Sequence, residues 1–125
     1  MIKSDNRFRI RFPKKVAKNA TAVLTSEELG KGIITSTSAA ATSLTLPTAT
    51  LIARHLKAER GDQYEFVVDN SVGANIVTVV VGAGIVVPTT VVITGSATLA
   101  VAVGQVGVFK LYFKSKTAAT LFRTS

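Results

Sequence analysis

The chain has 125 residues with no cysteine, no tryptophan and a single histidine, which excludes disulfides and thiolate metal sites and leaves a histidine-based catalytic pair little to draw on. Hydrophobic residues make up 47% of it and the mean hydropathy is +0.39, yet no stretch reaches the roughly 18 uninterrupted apolar residues of a membrane helix. The net charge is +8, but residues 1–18 carry +6 of it (Lys3, Arg7, Arg9, Arg11, Lys14, Lys15 and Lys18 against Asp5), so the remaining 107 residues carry only +2 and do not compose a nucleic-acid-binding surface.

The N-terminal stretch MIKSDNRFRIRFPKK lacks an apolar signal core, so no secretory targeting is expected. Within it, RFRIRF (7–12) alternates strictly. One extended segment there would show Phe8, Ile10 and Phe12 on one face and Arg7, Arg9 and Arg11 on the other, and Pro13 would break it. After a short apolar run at Thr21–Leu24, SEEL (26–29) suits one helical turn, with Ser26 as cap and Gly30 as stop. GIITSTS (32–38) and TSLTLP (42–47) suit strands joined by the small residues Ala39–Ala41. Pro47 and Thr48 introduce a helix over 49–60, with Leu51, Ile52, His55 and Leu56 on its packed side and Gly61 beyond its end.

From Gly61 onward the pattern is β. Tyr64, Phe66 and Val68 alternate with Gln63, Glu65 and Val67; Asn70, Ser71 and Gly73 make a turn, and 75–82 returns as a further strand. Pro88 confines 84–95 to a bend or an edge, and strands follow at 96–104, 106–114 and 117–125. In 106–114, Val108, Lys110, Tyr112 and Lys114 alternate with Phe109, Leu111 and Phe113. VVVGAGIV (79–86) and VAVGQVGV (101–108) share valines around paired glycines, read as two similar strand bends. Val, Ile and Thr supply 41 of the 125 residues. The expectation is an all-β fold, an antiparallel β-sandwich or jelly-roll-like barrel of eight to ten short strands with one short helix near 49–60. Residues 1–18 would form a basic arm and 19–125 a single domain.

Little points to catalysis. His55 has no nucleophile at a diagnostic spacing, and Asp62 and Glu65 would point to opposite faces of a strand, so neither acid–base work nor a cation cage is expected. The glycines at 82–84 match neither a dinucleotide fingerprint nor a phosphate loop. No catalytic residue, metal or cofactor is assigned. The arm is the feature that points to a partner, through Arg7, Phe8, Arg9, Ile10, Arg11, Phe12, Lys14, Lys15 and Lys18. Three readings are open for it: docking on a neighbouring subunit with the apolar face inward, a solvated sheet edge whose arginines block aggregation, or salt-sensitive binding to nucleic acid.

The stretches GIITSTSAAATSLTLPTATLI (32–52) and GDQYEFVVDNSVGANIVTVVVGAGIV (61–86) resemble a recurrent β-sandwich module of virion structural proteins in tailed phages and large DNA viruses. The shared features are a small-residue strand pair ending in LTLPTA, a short helix, GD-x-x-x-F, a DNS turn and a glycine-rich T-V hairpin, over about residues 24–113. The resemblance implies a trimeric β-sandwich that decorates or cements a shell, or that forms part of a tail or fibre. The arm lies outside the shared part. On this basis the expected role is a non-enzymatic virion protein, a minor capsid or cement/decoration subunit, that contacts itself as a homotrimer and other capsid or tail proteins, with no membrane partner. A nucleic-acid-binding protein using the arm and a tail or fibre receptor-binding domain are the alternatives. The high apolar fraction further predicts that valines in 76–87 and 99–108 are covered by other subunits.

Overall fold

A computed structural model of the chain describes residues 14–88 and 99–124; the RFRIRF stretch and residues 89–98 lie outside the described residues. The elements run β1 (Lys14–Ala17), β2 (Ala22–Val23), α1 (Ser26–Leu29), β3 (Gly32–Thr35), β4 (Thr42–Thr45), α2 (Ala49–Leu56), β5 (Gln63–Asp69), β6 (Val77–Val80), β7 (Ile85–Val86), β8 (Ala100–Val101), β9 (Val106–Phe113) and β10 (Ala119–Arg123). They form two sheets, one ordered β1-β3-β5-β9-β10-β7 and the other β2-β4-β6-β8.

The fold is largely β, but its sheets are mixed and not antiparallel throughout. From β1 to β9 each strand enters the sheet opposite to the one before it, and only β9 and β10 follow each other within one sheet. Over the first six strands, neighbours in a sheet are one winding apart and run the same way: β1 with β3, β3 with β5, β2 with β4 and β4 with β6 are all parallel. Antiparallel pairing is confined to β5 with β9, β9 with β10 and β6 with β8. The strand expected at 75–82 is present as β6, which pairs with β4 and β8 in the other sheet and not with β5. The resembling segments 79–86 and 101–108 are equivalent corners. Each leaves the four-stranded sheet, turns at a glycine with positive φ (Gly84 at 83°, Gly104 at 81°) and enters the six-stranded one.

The alternation read from the sequence orients the sheets correctly. Across the six-stranded sheet, Val16, Ile34, Val68 and Gly107 share one inward row, and Phe66, Phe109 and Arg123 share the next but one. Tyr64, Leu111 and Leu121 continue this face, while Leu44, Val77, Val79 and Val101 come from the other sheet into the same buried cluster. The Phe66 and Phe109 rings stack at 5.3 Å. Arg123 is buried at the end of the Phe66–Phe109 row, its guanidinium 5.6 Å from the Phe109 ring centre, and its Nη1 donates to Ala100 O of β8 at 2.8 Å. One side chain thus joins the two sheets by a charge-assisted hydrogen bond and a cation–π contact.

The helices form for local reasons. Thr25, not Ser26, caps α1: its hydroxyl accepts from Glu28 N–H and the Glu28 carboxylate accepts from Thr25 N–H, both at 3.0 Å, a reciprocal capping box. Tyr64 OH donates to Leu29 O and ties the end of α1 to the sheet. Thr48 caps α2, which stops at Leu56, short of the expected residue 60. Lys57 closes it in the left-handed conformation, and Ala58 N–H reaches back to Ala53 O in the six-to-one bond of a Schellman motif. The packed side of α2 is Ala49, Ile52 and Ala53, with Leu56 half-buried; Leu51 and His55 are exposed, contrary to the stripe read from the sequence. The His55 ring lies against Gly30, where an added Cβ would come within 2.9 Å of Nε2.

Candidate functional site

Of the residues singled out in the arm, Arg7, Phe8, Arg9, Ile10, Arg11 and Phe12 lie outside the described residues. Lys14 and Lys15 open β1, so the end of the basic segment is an edge strand of the six-stranded sheet. Both lysines are exposed, while Val16 packs against the core. Lys18, just beyond β1, forms a partly buried ion pair with Glu28 at 2.6 Å. The carboxylate that completes the capping box of α1 therefore also fastens the end of the edge strand.

The Lys18 ammonium, followed by the Thr25 N–H, holds the Glu28 carboxyl below its ordinary value of 4.5. A depressed folded-state value means that this stabilisation is complete above the ordinary carboxylate range and is lost as pH falls through the folded value. Glu28→Gln is expected to cost under about 1 kcal/mol at neutral pH and to flatten the acid limb of stability, checked by urea midpoints at about pH 7 and about pH 3. An unchanged acid limb would show that the pair contributes nothing.

Beyond the end of β1, three loops meet: 36–41, 70–76 and 102–105. Their organiser is Asn70, which is fully buried. Its Nδ2 faces three carbonyl oxygens, those of Asn75 at 2.8 Å, Val101 at 3.1 Å and Ala102 at 3.2 Å. Its backbone N–H donates to Gln105 O, and its own carbonyl accepts from the N–H groups of Gly73 and Gly104. Asn75 Nδ2 in turn donates to Ser38 O and brings in the third loop. Gly73 passes so close that an added Cβ would lie 1.8 Å from Asn70 Oδ1. On the outer side of the turn, the Asp69 carboxylate accepts from the Ser71 hydroxyl at 2.6 Å and from the Ser71 N–H at 3.0 Å. These bonds hold the Asp69 carboxyl below its ordinary value, with the Lys15 charge a smaller contribution.

This well-fastened end exposes apolar side chains. Val72 is 77% exposed, Val103 50%, Ile76 46% and Val106 42%. Val106 begins β9 opposite Asp69, and the outward row beside it holds the half-buried Ile33, Val67 and Val108, so the apolar surface runs from the loops onto the sheet. Three of the four exposed residues fall in the windows 76–87 and 99–108, where covered valines are expected. Sequence reasoning placed Asn70 only as a turn residue. Its three carbonyl partners lie in two other segments, Asn75 and 101–102, and no local pattern announces that convergence.

Among the described residues no group of three or more His, Asp or Glu side chains is arranged to hold a metal ion, and no helix is long and apolar enough to cross a membrane. Comparisons with protein-family models, with curated proteins and with solved structures returned no match.

Proposed function

We propose that the protein is a non-enzymatic virion structural subunit, a minor capsid or cement (decoration) protein that acts by contact with sister copies and shell neighbours. The observation that carries this reading is the apolar end at Val72, Ile76, Val103 and Val106, presented on loops already fastened by Asn70. Contiguous exposed apolar surface marks a contact site, and loops that need no ordering lose little entropy on docking. The similarity of residues 24–113 to virion modules supports the same class. In this reading the two sheets act as one sandwich body that assembles as a homotrimer, and the arm, with Lys14 and Lys15 at its base, reaches an acidic surface on a neighbour.

Light scattering after size exclusion tests it on nuclease-treated protein. The full chain should run at about three times its 13.1 kDa, and Val72→Asp combined with Val103→Asp should reduce it to the single-chain mass with the fold retained. A full chain that is already monomeric would overturn the reading. An oligomer unchanged by the double substitution but lost on removing residues 1–13 would move the contact from the loop end to the arm.

A second reading, a nucleic-acid-binding protein, is favoured by the exposure of Lys14 and Lys15 where the basic segment meets the sheet. It requires binding that weakens steeply with salt and disappears without residues 1–13.

A further inference from the structure

The body of the chain is close to neutral by composition, yet three of its eight cations are gathered at one place. α2 and the β9–β10 turn meet at the end of the molecule opposite the apolar loops, and between them lies a cavity of about 320 Å³. Its walls include Ala53 and Ala58, both buried, and it is lined further by Arg54, Lys57, Glu59 and Lys116 with Thr50 and Thr117. We propose that this cavity is a binding site for a phosphate-type oxyanion.

Three cations against one carboxylate leave two positive charges at one cavity. Part of that excess is offset by the negative end of α2, where Arg54 and Lys57 sit, and the rest favours an anion over a cation at the cavity. The excess matches a phosphate monoester, which carries about −1.5 to −2 near neutral pH, or the slightly less charged inorganic phosphate, better than a single carboxylate. Arg54 supplies a fork of donors suited to two oxygens, Lys57 and Lys116 supply point charges, and the threonines supply hydroxyl donors.

The scaffold holds these groups in place. Lys116 sits at the tip of a turn closed by Lys114 N–H to Ala118 O at 3.0 Å and Thr117 N–H to Ser115 Oγ at 3.1 Å. Lys57 occupies the left-handed position that ends α2, at φ 57°, the only positive φ of a non-glycine residue among the described residues. Glycine suits that position best, so the lysine is held there against a backbone preference. The strain is explained if its side chain has a task at the cavity. Among the described residues the ion pair of Lys18 with Glu28 lies elsewhere, and neither Arg54, Lys57 nor Lys116 has a carboxylate at ion-pair distance.

The test is a titration of the full chain with inorganic phosphate, followed by amide chemical shifts, with sodium acetate at matched ionic strength as control. The expected result is saturable shifts confined to residues 50–59 and 115–118, and affinity reduced about tenfold in Arg54→Ala and in Lys116→Ala. Lys57→Gly is the variant that cannot fail for want of folding, since it relieves the backbone. It should keep or raise the melting temperature and still weaken phosphate. Repeating the titration with glycerol 3-phosphate separates a monoester ligand from the free ion, since the tighter binder names the source. Shifts of equal size with acetate, shifts shared by Lys14 and Lys15, or no saturable shift at all would each overturn the proposal.

Discussion

Asn70→Asp is expected to remove at least about 3 kcal/mol of stability and to loosen all three loops of the apolar end together. The change is nearly isosteric, so cavity formation does not enter. What changes is the sign of the group that faces Asn75 O, Val101 O and Ala102 O. The amide nitrogen donates to these oxygens; a carboxylate in its place would repel all three from a fully buried position. The carboxyl would resist ionisation in the fold, so its folded-state pKa would stand above the ordinary value of about 3.9. With that sign, the folded state binds the extra proton, and stability falls as pH rises from the ordinary value towards the raised one. Denaturant midpoints across the acid range should thus show a variant that is least stable at neutral pH and partly rescued by acid, the opposite of the Glu28 dependence. Hydrogen exchange at residues 71–76 and 102–105 should accelerate in parallel. A loss below about 1 kcal/mol with no acid rescue would mean that Asn70 does not hold the loops together.

The second large effect belongs to Phe109. This ring is fully buried, stacks on Phe66 at 5.3 Å and lies under the Arg123 guanidinium at 5.6 Å. Phe109→Ala should cost about 4 kcal/mol or more, because it opens a cavity in the central row of the core and strips a buried cation of its aromatic partner. That is a large share of the total stability of a domain of this size, about 5–15 kcal/mol. Phe109→Leu separates the two contributions: it refills much of the volume but restores no ring, and should recover more than half of the loss. Urea unfolding of the three proteins decides the matter. A loss near 1 kcal/mol for Phe109→Ala would contradict a row in which Phe66, Phe109 and Arg123 pack as one unit.

Much of this architecture is local in origin and was therefore open to reading from the chain alone. Alternation at Tyr64, Phe66 and Val68 and at Phe109, Leu111 and Phe113 assigns each side chain to a face, because a strand has a period of two whichever partner it finds. The same holds for the turn at SEEL, the start of the second helix at Thr48 and the absence of thiol chemistry. The near-miss at the capping residue, Thr25 in place of Ser26, is a one-residue choice between equivalent hydroxyls. The end of α2 was harder, because Lys57 takes a conformation that composition assigns to Gly61.

Strand partners could not be read. Alternation specifies which face is buried but not which sheet a strand joins, so 62–71 and 75–82 look like a hairpin although they lie in opposite sheets. Only packing of the whole chain decides that every link up to β9 crosses from one sheet to the other, which makes most of the neighbouring strands parallel. The same holds for the two ends of the molecule. Val72 joins Val103 and Val106 because Asn70 draws its loop towards the backbone at 101–102, and Lys116 joins Arg54 and Lys57 because the β9–β10 turn lands beside α2. Charge counted along the chain found the basic arm, since its seven cations fall within eighteen residues. It could not find the cavity, whose cations are neighbours only in three dimensions.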